Sequence, residues 1–521
     1  MCITNNKLTY ALFPHPDCLF IEADTDKVLQ HLQCMNFEEV IRKSEVIGTL
    51  SKINLFRNLP KSKLSILSTM IRLEKFKSGQ KIINEGEKGY KFYIIKVGNV
   101  NVFSKGIYLR TLNPKDCFGE RALLTNELRS ATVISKGYSE LYSLNKEDFL
   151  NNIEDNMKQF LFNRLLLQDN SIELNDLYHI KELGNGNYGK VSLVYCRKNS
   201  FFYAIKTIQK KQILYEKLTS NLDLEKNILL SIDNPFIVKL VKCLKDNNNI
   251  YLLMEYLKGK ELFYIIRDIG LLNKSQALFY TASMMLAINY LHKRKFIYRD
   301  LKPENLMVLS NGYLKLIDFG TVKNIIDRTS TIIGTPQYMA PEVILGEGYS
   351  FQIDFWSIAI CAYEFICGGV PFGENFDDPM KIYNSIINDQ LNFPNFCYDK
   401  EFMVLMKQML EKNPMKRLSK FEGITKHLWF NCFNWEELIS LNMKPPYVPF
   451  IKNLFNIQIN DIYIDKNSDG IFMNVKNKNF PTFSEKFCDY VNKNYHEYKP
   501  EKEVKFSDDD INKFNLWYEN F

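Results

Sequence analysis

Apolar positions change their period several times along the chain. Leu55–Leu59 and Leu64–Ile71 are spaced as helices. Short β-branched or aromatic runs follow at Lys81-Ile82-Ile83, Phe92-Tyr93-Ile94-Ile95 and Val100-Asn101-Val102-Phe103, bounded by Gly86, Gly89 and Gly98. Their spacing predicts a small β-roll or barrel. Leu141-Tyr142-Ser143-Leu144 predicts a further strand, and Asp148-Phe149-Leu150 with Ile153 a closing helix. The same order stands at the start, where Leu19-Phe20-Ile21 precedes an amphipathic stretch from Thr25 to Ile41 carrying Val28, Leu29, Leu32, Met35 and Val40. That start reads either as the end of an earlier copy of the same unit or as a leading helix of its own.

Met157 to Leu167 is again helical, with Phe160, Leu161, Leu165 and Leu166 on one side, and Gln168 to Asp176 is polar. Beyond this link, Tyr178–Leu183, Lys190–Tyr195, Tyr203–Lys206, Leu252–Leu257 and Leu314–Ile317 read as strands, and Asp223–Leu230 as a helix. Residues 453–500 are rich in Asn and Lys and only weakly periodic. A chain of 521 residues exceeds what one core supports, so several domains are expected.

Composition narrows the class. Apolar residues make up 46% and charged ones 24%, as in water-soluble globular proteins. No stretch approaches the roughly 20 apolar residues of a membrane helix, no secretory leader is recognisable, and Met1-Cys2 lacks the glycine that myristoylation needs. The 11 cysteines have no metal-like spacing, which predicts free thiols in a reducing cytoplasm. A net charge of +7, with acids and bases interleaved, gives no argument for nucleic acid or membrane surfaces.

The candidate chemistry centres on Tyr298-Arg299-Asp300-Leu301-Lys302-Pro303-Glu304-Asn305. Asp300 can accept a hydroxyl proton, Lys302 can offset phosphate charge, and the Asn305 amide can ligate a metal, the set that phosphoryl transfer requires. The segment resembles the catalytic loop of AGC-group protein kinases, and other motifs follow in that family's order. Leu183-Gly184-Asn185-Gly186, with Gly189 and Val191, resembles the flap over ATP phosphates. Ala204 and Lys206 fall on a buried strand, and the resemblance pairs Lys206 with ATP and with Glu225. Met254 resembles the gatekeeper, Glu255 and Leu257 the adenine-facing hinge, and Glu261 the ribose acid. Asp318-Phe319-Gly320 implies Mg²⁺ at Asp318, with a second ion at Asn305.

The resemblance further implies a Glu342–Arg417 bridge, an Asp354 brace under the catalytic loop, and Thr331 as activation-loop phosphosite, with Thr329 and Ser330 as alternatives. Glu261, Glu304 and Glu364 match acids that select basic residues before a target Ser/Thr. Gly259-Lys260, Gln337 and Ala359 depart from the family pattern without touching the chemistry. Trp435 and Pro445–Phe450 resemble the start of the AGC tail, and Trp517 with Phe521 the ending of cGMP-dependent kinases.

In the first unit, Phe118-Gly119-Glu120-Arg121-Ala122 and then Arg129-Ser130-Ala131 resemble the phosphate cassette of cyclic-nucleotide-binding domains. Gly119 allows close approach of the sugar, Glu120 can accept from its 2′-hydroxyl, the turn beginning at Ala122 is expected to offer free amides, and Arg129 to meet the phosphate. In this family a hydroxyl at position 130 favours guanine, through a bond worth roughly 0.5–1.5 kcal/mol, so cGMP is favoured over cAMP.

The expected architecture is multidomain. It comprises a leading helix to residue 50, a cyclic-nucleotide-binding β-roll over 51–155, a linker helix over 156–176, an α+β bilobal kinase over 177–430 and an AGC tail over 431–521. The implied activity is cGMP-activated serine/threonine phosphorylation of basic sites with ATP and Mg²⁺. Kinases answering to cAMP or to no ligand, and a catalytically dead sensor scaffold, are the alternatives.

Overall fold

In a computed structural model the chain is described over residues 37–53, 56, 59–124, 128–167, 172–186, 189–199, 201–325, 328–450, 462–464, 471–473, 485–495, 498 and 506–521. The strand expected at Leu19–Ile21 and most of the helix expected from Thr25 lie outside these residues. A helix is described over Phe37–Leu50 and continues past Ile41. Val46 and Leu50, one turn apart, are buried in the same cluster as Leu64 and Leu67, which gives the extension its packing. Of the helix expected at Leu55–Leu59, Phe56 and Leu59 are described. Both are buried in turns closed by i→i−3 bonds.

The first unit pairs two four-stranded antiparallel sheets. Strands β1 (Arg72–Phe76), β8 (Ser139–Asn145), β3 (Lys91–Val97) and β6 (Cys117–Phe118) form one; β2 (Lys81–Ile83), β7 (Thr132–Ser135), β4 (Val100–Ser104) and β5 (Ile107–Leu112) form the other. Strand β3 shows why the chain folds this way. Tyr93 and Ile95 join Val100, Val102, Val133 and Leu141 in one apolar cluster. Phe92 and Ile94 belong to another, with Leu64, Leu67, Phe149 and Met157 from the helices. A period of two thus buries both faces. Helices Lys146–Asn152 and Asp155–Leu166 close the unit.

The second unit is bilobal. Its smaller lobe is a five-stranded antiparallel sheet in the order β12 (Leu240–Lys245), β13 (Asn249–Glu255), β11 (Phe201–Gln209), β10 (Gly189–Cys196), β9 (Leu177–Gly186). Helix Thr219–Ser231 presents Leu222, Glu225, Ile228 and Leu229 as its buried residues. The larger lobe is helical around Gln352–Cys367, which is almost wholly buried and ends at Gly368 in a left-handed conformation, φ +89°. Helix Lys274–His292 begins with a capping box between Asn273 and Gln276.

The tail returns to the smaller lobe. Tyr313 Oη donates to Met443 O at 2.5 Å, anchoring the tail's start. Helix Phe487–Asn494 then contributes Phe487 and Val491 to a cluster with Leu177, Val194, Tyr203, Ile205 and Tyr251 of the sheet and Leu167 and Ile172 of the link. In helix Asp508–Asn520, Trp517 Nε1 donates to Asp223 Oδ2 at 2.5 Å. The two units touch where Asn156 Nδ2 donates to Leu441 O at 3.0 Å.

Candidate functional site

Asp354, buried in the central helix, organises the loop that carries Asp300. Its two carboxylate oxygens accept the amides of Tyr298 and Arg299, each at 2.9 Å, and Oδ2 lies 2.7 Å from His292 Nε2. Arg299 is held at φ +76° and Asp318 at φ +57°, left-handed conformations that non-glycine residues keep only when their surroundings enforce them. Tyr298 Oη donates to Ile317 O at 2.5 Å, tying this loop to the strand end that precedes Asp318. Complete burial pushes the Tyr298 phenol well up, so it remains a donor.

Asp300 Oδ1 accepts from Thr335 Oγ1 at 2.8 Å and from Thr335 N at 3.0 Å. Lys302 Nζ donates to Thr335 Oγ1 at 2.6 Å and lies 3.1 Å from Asp300 Oδ2. Asn305 spends its amide N–H groups on Asp300, at 2.8 Å to the backbone oxygen and 3.1 Å to Oδ2. The carbonyl oxygen of Asn305 is therefore the atom suited to a metal. Asp318 Oδ1 accepts from Gly320 N at 3.1 Å. Among the described residues no three His, Cys, Asp or Glu side chains gather around a point. One carboxylate and one amide suit Mg²⁺, which completes its shell with water and substrate phosphates.

The smaller lobe brings its lysine to this loop. Lys206 Nζ is 3.0 Å from Glu225 Oε1 and 4.0 Å from Asp318 Oδ1. The flap strands pair Gly189 with Gly186 and Val191 with Gly184. A Cβ at Gly189 would lie 2.1 Å from Thr207 O, so this position admits only glycine. At the hinge the Glu255 carboxylate accepts from Lys239 N at 2.9 Å and from Lys315 Nζ. Ala204 is buried, Leu257 is half-buried and Leu183 is exposed.

Glu261, Glu304 and Glu364 form an acidic group. Burial raises the Glu261 carboxyl, and the neighbouring Glu304 raises it further. Burial also raises Glu364, which accepts from Tyr338 Oη at 2.8 Å. Among the described residues Glu304 Oε2 is buried with no hydrogen-bond partner, an arrangement that a cation would relieve. Glu342 and Arg417 make a bidentate pair at 2.6 and 2.8 Å. In the activation segment Thr331 is exposed, as is Ser330, whereas Thr329 is buried and its Oγ1 accepts from Lys323 at 2.9 Å.

In the first unit Arg129 sits between two glycines. A Cβ at Gly119, φ +79°, would lie 2.5 Å from Arg129 Nη1, and one at Gly89 would lie 2.9 Å from its guanidinium carbon. Arg129 donates to Lys91 O at 2.6 Å and to Gly119 O at 3.4 Å, and burial lowers its pKa. Glu120 and Ala131 are half-buried, while Arg121 and Ser130 are exposed. One expectation fails here. The amides of Ala122 and Leu123 are not free but donate to Gly119 O and Glu120 O, each at 3.1 Å, because the helix Arg121–Leu124 is a single turn closing on itself.

Family models match this chain twice. Residues 73–156 match the cyclic nucleotide-binding domain and residues 177–430 the protein kinase domain. The chain carries a nucleotide-binding domain ahead of a kinase domain. It is 41% identical over 418 residues to a protein of Plasmodium berghei and 39% identical over 419 residues to one of Toxoplasma gondii, both named cGMP-dependent protein kinase. It is 33% identical over 478 residues to cGMP-dependent protein kinase 2 of Rattus norvegicus. These alignments cover 79%, 80% and 82% of this chain but 49%, 42% and 62% of the relatives, so the chain spans about half the length of the first two.

Thr335, His292 and Lys315 were not picked out by their sequence neighbourhoods. Thr335 acts on Asp300 across 35 positions and His292 on Asp354 across 62, distances at which no local pattern exists. Among the described residues no helix is long and apolar enough to cross a membrane.

Proposed function

We propose that the chain is a cyclic-nucleotide-activated protein serine/threonine kinase with cGMP as its favoured ligand. The observation that carries the reading is the Lys206–Glu225 pair at 3.0 Å, with Asp318 4.0 Å from the same ammonium. The lysine–glutamate pair is what the kinase form of phosphoryl transfer needs, and the nearness of Asp318 puts a carboxylate for Mg²⁺ beside the same ammonium. ATP lies under the flap of Leu183, Gly184, Asn185, Gly186, Gly189 and Val191, against Ala204, with Glu255 and Leu257 at the adenine and Glu261 at the ribose. Asn305 and Asp318 would hold Mg²⁺, which would supply positive charge against the ATP phosphates when bound.

Asp300 orients the substrate hydroxyl and takes its proton as the hydroxyl oxygen bonds to the γ-phosphorus of ATP and the bond from that phosphorus to the β–γ bridging oxygen breaks, releasing ADP. Lys302, now bonded to Thr335, sits beside Asp300 to neutralise charge on the transferred group. Glu261, Glu304 and Glu364 favour substrates with basic residues before the target Ser/Thr. A phosphate on Thr331 would recruit Arg299 and order the segment. The burial of Thr329 disfavours that position as the phosphosite.

Cyclic phosphate is expected at Arg129, with Gly119, Glu120 and Ala122 around it, and Ser130 supplies the bias toward guanine. Since the amides of Ala122 and Leu123 are engaged, Arg129 carries most of the anion contact. The nucleotide activates by binding the released arrangement of the domains better than the docked one. The proposed boundaries are 51–155 for the nucleotide domain and 177–430 for the kinase. The free thiols of the described cysteines fit a cytoplasmic location.

The test is phosphotransfer to a basic serine peptide, titrated with cGMP and cAMP in parallel. Activation at lower cGMP supports the whole reading. Activation at lower cAMP replaces the ligand, constant activity removes the switch, and no transfer by Thr331-phosphorylated protein removes the kinase.

A further inference from the structure

We infer that Tyr490, from the tail, is a positioning residue for the ATP flap. The inference rests on the kinase reading above and concerns the outer side of the flap, where no contact reaches the nucleotide. Strand β9 is the edge of its sheet, with β10 as its one strand neighbour among the described elements. Gly184 and Gly186 lie at the end of β9 and Gly189 at the start of β10, and glycine restricts its own backbone less than any other residue. An edge strand that ends in such glycines needs support from elsewhere if the flap is to hold a defined height over ATP.

The tail supplies that support. Lys486 forms a β-bridge with Tyr178, and His179 N donates to Glu485 O at 3.2 Å. The Tyr490 ring lies flat on His179, centroids 3.4 Å apart and planes within 6°. Tyr490 Oη donates to Glu182 Oε1 at 2.9 Å. Glu182 reaches Lys190 at 3.4 Å, and Lys190 Nζ stands 4.8 Å over the ring of Tyr495. Tyr495 in turn packs edge-on to Tyr490, centroids 6.2 Å apart. The ring of contacts is closed. Glu182 immediately precedes Leu183 and Gly184, and Lys190 immediately follows Gly189, so both stems of the flap are braced by the tail helix Phe487–Asn494 and the Tyr495 that follows it.

The brace is itself anchored. Phe487 and Val491, which flank Tyr490, are buried against the outer face of the sheet. Among the described residues His179 Nε2 is buried without a hydrogen-bond partner, and its ring is stacked under Tyr490. Holding the stems lowers the conformational freedom that ATP must freeze out on binding. Losing the brace should weaken nucleotide binding while leaving the proton acceptor Asp300 intact.

The experiment compares Tyr490→Ala, Tyr490→Phe and the unaltered chain. Affinity for MgADP is measured by calorimetry, KM for ATP and kcat are measured separately, and amide exchange is followed over 182–190. For Tyr490→Ala the expected result is a roughly 3- to 10-fold rise in both the MgADP Kd and KM for ATP. Flap exchange should be faster, and kcat at saturating ATP should change less than twofold. Tyr490→Phe keeps the stack on His179 but loses the hydroxyl bond to Glu182, so its loss should fall between those of the unaltered chain and Tyr490→Ala. A folded Tyr490→Ala protein with unchanged MgADP affinity and flap exchange overturns the inference. So does a fall in kcat alone, the mark of a smaller folded fraction. If the unaltered chain binds MgADP but transfers no phosphate, the kinase reading fails while the binding comparison still decides the brace. If it binds no nucleotide, both fail.

Discussion

Lys206 Nζ and Glu225 Oε1 lie 3.0 Å apart with their side chains 5% and 4% exposed. Helix Thr219–Ser231 is therefore docked with its carboxylate at Lys206. Removing one partner leaves a buried charge without compensation, a loss of about 3–5 kcal/mol. Lys206→Met should lower thermal stability and reduce phosphotransfer by about 10²-fold or more. A Lys206→Met, Glu225→Leu double variant should regain stability but not activity. Thermal melts alongside peptide kinetics separate the two effects.

Thr335 joins Asp300 to Lys302. Thr335→Ala removes the Oγ1 bond to Asp300 and the acceptor for Lys302 while keeping the backbone amide bond. Expected is a fall in kcat of about 10- to 100-fold with little change in KM for ATP. Thr335→Ser, which keeps the hydroxyl, should restore most of it. Steady-state kinetics of both variants check this.

Glu364 carries an opposite sign for stability and for binding. Burial raises its carboxyl above the ordinary glutamate value, so the folded state holds its proton to higher pH than the unfolded chain. Its contribution to stability is full below the unfolded value and is lost as pH rises through the folded one. At neutral pH the charged form is thus a cost. Glu364→Gln should leave the melting temperature at pH 7.5 equal or higher, while KM for a peptide with basic residues before Ser rises several-fold. The stability difference should shrink as pH falls toward the ordinary glutamate range.

The bidentate Glu342–Arg417 pair is sealed, at 1% and 0% exposure. Arg417→Lys keeps the charge but cannot reproduce two parallel bonds. It should destabilise the larger lobe by about 2–4 kcal/mol and slow phosphotransfer. Urea unfolding followed by tryptophan emission reads this, since Trp356 lies 4.8 Å from the Arg417 guanidinium.

Arg129 is held ready by two carbonyls. Arg129→Ala should weaken cyclic-nucleotide binding by about 10²-fold, because a charge-assisted contact to phosphate is lost and the neighbouring amides are engaged. Equilibrium binding of labelled cGMP is the readout.

Much of this could be read from residues in a row. Asp300, Lys302 and Asn305 stand within one short loop, and their order along the chain dictates that they meet. Strand β3 shows the same legibility, since alternate residues must enter opposite clusters once the strand forms. The amides at Ala122 and Leu123 were misread for a local reason. A single turn of helix satisfies its own donors, and sequence does not say whether a turn will close or stay open.

Residue identity and spacing along the chain were enough to pick out Asp300, Lys302, Asn305 and Arg129 as candidates, because each carries its chemistry in its own side chain. The distant groups that hold them are a matter of how the elements pack. Asp354 takes both amides of the catalytic loop and the His292 ring, Thr335 closes on Asp300, and Tyr490 lies on His179 more than 300 positions away. Such contacts arise when separate elements pack, and packing depends on the shape of the whole core rather than on any local run of residues.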